Sequence, residues 1–215
     1  MAPEAGTPEE VRGRRESEEW ERHYFKTRRN LALRRRRLGY FGFRPEERIV
    51  EIGCGDGLNL TLLRKEGARR AFGTDISWEF ASRVRGAPAF VGDVFGLPMA
   101  DGAADALLID SVLHHLEPLP PALAEMRRVL GRGGRMCILE PRPTVLRWIL
   151  DTAMDLVPFP PPLRARQLTY FEEKDDYKAW LRRFPQLEGK IREAGFTIAM
   201  AKRLPFGIAL EAHVA

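Results

Sequence analysis

Arg48-Ile49-Val50-Glu51-Ile52-Gly53-Cys54-Gly55-Asp56-Gly57 is the stretch on which the fold turns. An apolar run with strand character feeds a glycine-rich turn, and the turn opens a helix. Glycine suits such a turn for two reasons. The backbone must adopt unusual φ/ψ, and a ligand must come close to bare backbone. Amides of the turn and of the helix N-terminus then face an anionic group. A glycine-rich turn by itself also fits a dinucleotide fingerprint, Gly-x-Gly-x-x-Gly. Here the third glycine is Gly57, and Leu58 occupies the place where that fingerprint has glycine.

Outward from this turn, short apolar runs alternate with helix-length segments. Strands are predicted over Arg48–Ile52, Arg70–Thr74, Ala89–Gly92, Ala104–Ile109 and Arg135–Leu139. Helices are expected after the glycine turn to about Gly67, over Trp78–Val84 and over Leu119–Leu130. This alternation implies a parallel sheet with helices on both faces, and right-handed crossovers leave few topologies open. Pro141 to Leu187 breaks the rhythm. It contains an expected helix over Leu146–Leu156, the Pro-rich stretch Pro158–Pro162 and a charged helix near Glu172–Arg183. A helix over Leu187–Ala194 and two antiparallel strands, Phe196–Leu204 and Phe206–Val214, close the sheet.

The chain of 215 residues suits one domain with some decoration. Residues 1–16 are rich in Pro, Gly, Glu and Arg and are expected to be a disordered tail, with a single domain over 17–215. A helix is predicted from Ser17 to Leu38. Trp20, Tyr24, Thr27, Leu31 and Leu38 share one face, and Arg28, Arg29 and Arg34 to Arg37 make the other basic. The net charge of +5 fits an anionic partner such as nucleic acid or a lipid surface, or simply an Arg-rich surface. Cys54 and Cys137 lie in predicted core elements and outside any Cys-x-x-Cys motif. With no apolar signal-peptide core near the N-terminus, a cytoplasmic protein is expected.

The spacing Glu51-x-Gly53-x-Gly55-x-Gly57 resembles the first motif of the class I S-adenosylmethionine-dependent methyltransferases, and the resemblance runs from about Arg48 to Glu140. It is closest to small-molecule methyltransferases of the quinone and biotin pathways. It implies a Rossmann-like α/β fold, a seven-stranded, mostly parallel sheet in the order 3-2-1-4-5-7-6 with the seventh strand antiparallel. It also implies S-adenosylmethionine as methyl donor and no metal. By this likeness Glu51 holds the donor's amino group, and Gly53, Cys54, Gly55 and Gly57 form the turn beneath its methionine part. Asp75, at the second strand's end, accepts from both ribose hydroxyls, and Ile76 packs on the adenine. Asp93 accepts from the adenine amino group, the Val94 amide reads the ring, and Asp110 lies at the fourth strand's end beside the donor.

The donor's sulfonium is already activated, so the enzyme must align a nucleophile and exclude water. A base helps when that nucleophile is a hydroxyl or a carbon acid. His115, favoured, and His114 stand just past the fourth strand, where the methyl points. Asp110-Ser-Val-Leu replaces the Asn/Asp-Pro-Pro-Tyr/Phe of many amino-group methyltransferases, so oxygen or carbon of a small, apolar or aromatic molecule is the expected acceptor. Residues 17–44 as a helical cap and 141–187 as a helical lid would cover it. Trp148, Leu150, Met154, Leu156, Phe159, Tyr170 and Phe171 either line an apolar pocket or form a subdomain core, and Arg142, Arg147, Arg164 and Arg166 either meet an acidic group or are solvated. The alternatives are an RNA-directed methyltransferase using Arg28–Arg37 on phosphates, a non-catalytic S-adenosylmethionine-binding scaffold, and membrane-surface attachment through the basic helix or Val145–Leu156.

Overall fold

The computed structural model describes residues 28–157 and 161–215. The tail 1–16, the helix start from Ser17 to Thr27 and Phe159 lie outside the described residues, as do the side chains of Arg28, Arg29, Arg164 and Arg166. In chain order the elements are α1 (Arg28–Leu38), β1 (Ile49–Ile52), α2 (Leu58–Lys65), β2 (Ala71–Asp75), α3 (Trp78–Ala81), β3 (Ala89–Val91), β4 (Ala106–Asp110), α4 (Leu119–Leu130), β5 (Arg135–Pro141), α5 (Val145–Leu156), α6 (Pro161–Arg183), α7 (Leu187–Glu193), β6 (Phe196–Arg203) and β7 (Gly207–Val214). The sheet order is β3-β2-β1-β4-β5-β7-β6. β1 pairs in parallel with β2 and β4, and β7 pairs antiparallel with both β5 and β6. The expected topology is the one observed.

The sheet is buried on both faces because alternate side chains feed two cores. Val50, Ile52, Leu107, Ile109, Met136 and Ile138 pack with α4 residues Leu123 and Met126 and with Ile191. Ile49, Leu108, Cys137 and Leu139 pack with Leu60 and Leu63 of α2 and with Leu38 and Phe41. The charged helix expected near Glu172 begins earlier, at Pro161. Proline is tolerated in a first helical turn, where its missing N–H has no intrahelical partner, so Pro161 and Pro162 open the helix.

The order of the strands positions the site. Between β1 and β4 the winding reverses direction, and in open sheets of this kind the ligand crevice lies at the carboxyl ends of such strands. Gly53 follows β1, Asp75 ends β2, Asp110 ends β4 and Glu140 lies near the end of β5.

Candidate functional site

The turn after β1 is left-handed at Gly53, Gly55 and Gly57, with φ of 66°, 53° and 77°. A Cβ on Gly53 would stand 2.6 Å from Val112 Cγ2, whereas one on Gly55 would meet open space. Gly53 is therefore needed for packing and Gly55 for its backbone, which leaves room for a ligand above it. Asp75 fixes the turn's position. Its Oδ2 accepts from Gly55 N at 2.9 Å and its Oδ1 from Ser77 N at 2.9 Å. The carboxylate read as a ribose ligand thus also holds two chain segments together, and each oxygen keeps a further lone pair for a ligand.

Glu51 is 3% exposed, an acid inside β1. Its Oε1 accepts from Asn59 Nδ2 at 2.7 Å, while its Oε2 is buried without a hydrogen bond. Burial pushes its carboxyl up to about 8; the Asn59 hydrogen bond opposes this shift, and the neighbouring Asp110 adds to it. An orphaned carboxylate oxygen beside a glycine turn fits an ammonium group, which would supply both the missing donor and the missing charge. The amino-acid end of S-adenosylmethionine carries such a group, so the residues present fit the donor.

Asp110 joins the same network. Its Oδ2 accepts from Asn59 Nδ2 at 3.1 Å and from Arg34 Nη1 at 3.2 Å, and its Oδ1 accepts from Arg37 Nη2 at 3.4 Å. Arg34 also donates to Asn59 Oδ1 at 3.0 Å. Two arginines from the run read as a basic outer face therefore turn inward and cover the crevice. Their spacing, one helical turn apart, was the available signal. Asn59 carried no signal of its own.

Ile76 is exposed and Val94 buried; Asp93 accepts from Phe95 N at 2.9 Å and is itself exposed. The Cys54 thiol is buried, and its surroundings push it up to about 12, chiefly through burial and then the nearby acids Glu51 and Asp75. It stays a protonated packing group.

The loop after β4 is strained. Ser111 has φ 64°, the one positive φ outside glycine among the described residues. The strain is held by Ser111 N donating to Leu139 O at 2.8 Å and by Glu140, whose Oε1 accepts from Val112 N and Leu113 N at 2.7 Å each. Glu140 Oε2 lies 2.8 Å from His114 Nδ1, with both side chains buried. A carboxylate there places the proton on Nδ1 and leaves Nε2 with a lone pair. His115 is exposed, with its ring 4.0 Å from that of His114. His114, the less favoured of the pair from sequence, is thus the one held in a fixed tautomer. Glu140 was missed; an acid closing the apolar run Met136–Leu139 was its only signal.

The region 141–187 packs over this loop. Tyr177 stands edge-on to His114 at 6.3 Å, and Trp180 is 6.4 Å away, donating its Nε1–H to Pro141 O at 2.9 Å. Arg147 Cζ lies 4.5 Å from the Tyr177 ring centre, and its Nε is 3.2 Å from Asp151 Oδ1. The hydroxyls of Tyr170 and Tyr177 are buried, the first beside Lys178 and Asp155 and the second beside Arg147. Trp148 and Leu156, read as pocket or core residues, are 69% and 74% exposed and do neither. Arg142 donates to Leu204 O at 3.2 Å. A separate cavity of about 610 Å³ opens at the amino ends of the strands, lined by Arg44, Arg48, Asp105, Arg135 and Glu211. Two of its guanidiniums are paired internally, Arg48 with Asp105 at 2.6 Å and Arg135 with Glu47 at 3.0 Å.

Residues 50–138 match the family model of a methyltransferase domain. The ubiquinone/menaquinone biosynthesis C-methyltransferase of Paracoccus denitrificans is 35% identical over 129 residues, covering 55% of this chain and 49% of that protein. A solved structure described as an S-adenosylmethionine-dependent methyltransferase, possible histamine N-methyltransferase, from Thermotoga maritima is similar with a TM-score of 0.62 at 20% identity, over 94% of this chain and 97% of that one. Magnesium protoporphyrin IX methyltransferase from Synechocystis, solved with bound S-adenosylhomocysteine, has a TM-score of 0.58 at 19% identity, over 87% and 83%. The chain spans about half or less of the length of the first curated relatives it matches, 31%, 49% and 46% for three of them.

Proposed function

We propose, from the premise that residues 50–138 form a methyltransferase domain of the class I type, that the chain transfers a methyl group from S-adenosylmethionine to an oxygen or carbon of a small molecule. The observation that carries this reading is the buried, unpartnered Oε2 of Glu51 beside a left-handed glycine turn. In this reading Glu51 takes the donor's ammonium, the Gly53–Gly57 turn lies under its methionine part, and Asp75 and Asp93 hold the nucleoside. The hydrogen bonds and charge pairing cost little reorganisation at the moment of transfer, because Asn59 already fixes the Glu51 carboxyl and backbone amides fix those of Asp75 and Asp93. Arg34 and Arg37, which pair with Asp110 at the end of β4, would supply the positive charge for the donor's carboxylate, and helix α1 would thereby serve as the cap.

His114 is the base of this proposal, with Nε2 accepting the acceptor's proton while Glu140 positions the ring and stabilises the imidazolium that forms. Helices α5 and α6 serve as the lid. The buried hydroxyls of Tyr170, beside Lys178, and of Tyr177, beside Arg147, and the Asp151 carboxyl, which burial pushes above its ordinary range, give that lid polar groups for a polar substituent on an otherwise apolar acceptor. The quinone-pathway relative fits an acceptor of this kind. Two features weigh against RNA as acceptor. Arg34 and Arg37 are committed to Asp110, and Arg35 pairs with Glu66 at 2.7 Å.

The test is calorimetric titration with S-adenosylhomocysteine, followed by incubation with labelled donor and hydroxylated aromatic or quinol acceptors. Binding in the micromolar range and label on a small product are expected. No heat and no protection against thermal unfolding by the product would end the reading.

A further inference from the structure

Helix α5 faces the wrong way for a helix in water. Projected at 3.6 residues per turn, Val145, Trp148, Ile149, Thr152 and Leu156 fall on one side, and Arg147, Asp151 and Met154 on the other. An amphipathic helix ordinarily buries the apolar side. Here Asp151 and Met154 are buried at 7% and 4%, whereas Val145, Trp148, Ile149 and Leu156 are 76%, 69%, 52% and 74% exposed. The cause is local. The protein presents Tyr177 and Lys178 to this helix, and Arg147 and Asp151 are the side chains that answer them.

The apolar side is continued by a neighbouring element. Thr144 Oγ1 donates to Pro205 O at 3.0 Å, which places the β6–β7 turn, with Phe206 43% exposed, against the start of α5. The two segments that meet there are 141–150 and 194–210. They contain Arg142, Arg147, Lys202 and Arg203 and not a single acid. The nearest acid along the helix border, Asp155, is neutralised by Lys178 at 2.8 Å. Lys202 and Arg203 are exposed, and the Lys202 ammonium rests 4.1 Å from the Tyr40 ring centre, from which a phosphate would have to draw it.

We propose that this face is a membrane-docking surface for anionic lipid: Trp148, Ile149, Leu156 and Phe206 enter the interface between headgroups and acyl chains, and Lys202 and Arg203 meet lipid phosphates. A short helix with an apolar, Trp-bearing face and a basic border suits that interface plane, whereas no helix among the described residues is long and apolar enough to cross a membrane. The absence of acids decides for a lipid surface over a second copy of the chain. Two copies meeting through this face would bring like charges together.

The experiment is flotation of the full chain with vesicles of phosphatidylcholine alone and of phosphatidylcholine and phosphatidylglycerol in equal parts, with light scattering of the lipid-free protein. The protein should float with the mixed vesicles, and raised salt should weaken the binding. The double variant W148E/I149E, its fold checked by thermal melting, should remain at the bottom. K202E/R203E should lose at least about fivefold for each basic residue removed. Three results would overturn the proposal: wild type that fails to float with mixed vesicles, W148E/I149E floating as wild type does, or a lipid-free dimer that W148E/I149E dissociates. None of these readouts depends on methyl transfer or donor binding.

Discussion

Replacing Glu51 by Gln should stabilise the free protein while weakening its hold on the donor. Burial keeps the Glu51 carboxyl at about 8 in the folded chain, against 4.5 ordinarily. A folded-state value raised in this way makes the charged form costly. Below pH 4.5 both folded and unfolded chains carry the proton and the cost is absent. It grows as the pH rises towards 8 and is constant above. At about 1.36 kcal/mol for each tenfold in proton affinity, the gap amounts to about 3 kcal/mol at pH 7 and about 5 kcal/mol above pH 9. Glutamine keeps the oxygen that accepts from Asn59 Nδ2 and removes the charge. Urea unfolding of free wild type should therefore show stability falling between pH 5 and 8, and E51Q should lack that decline. Donor binding has the opposite sense, because the donor's ammonium favours the carboxylate. Wild-type affinity for S-adenosylhomocysteine should rise about tenfold per pH unit up to about 8. E51Q should show a flat profile and bind about 10- to 100-fold more weakly at pH 8, the loss of a charge-assisted hydrogen bond. The reasoning fails if E51Q binds the product as wild type does, or if the two proteins share one stability profile across this pH range.

Gly53→Ala should cost about 1–3 kcal/mol in urea unfolding, because φ 66° is unfavourable for alanine and the new Cβ meets Val112; adding Val112→Ala should relieve the contact and leave the φ penalty. His114→Asn should lower methyl transfer about 10²- to 10⁴-fold with product affinity kept, whereas His115→Asn should stay near wild type in a labelled-donor assay. Glu140→Gln keeps one oxygen to accept from Val112 N and Leu113 N but turns the oxygen facing His114 Nδ1 into an N–H donor, and should destabilise the protein by about 1–3 kcal/mol; a shifted pH–rate profile would separate its positioning of His114 from loss of fold. Arg34→Ala should weaken product binding about tenfold or more if its guanidinium meets the donor carboxylate, and calorimetry with adenosine, which has no carboxylate, should show no such loss.

The sequence by itself determined the alternation of strands and helices, the glycine turn and the carboxylates at the strand ends, while the strand order came from the family resemblance these features carry. These features are legible because they are local: two-residue alternation, a backbone that only glycine adopts readily, and an acid placed where an apolar run stops. Tertiary structure alone decided which groups became partners. Glu140 and His114 are 26 residues apart, and Arg34 and Asp110 are 76 apart, so no periodicity links them. The pairing arises because β4 and β5 are neighbours and α1 crosses their ends. The same holds for α5, whose spacing fixes an apolar stripe and a polar stripe but not which one faces inward. A helix turns towards whatever its neighbours present; here those neighbours are polar and buried, and the apolar stripe was left outside.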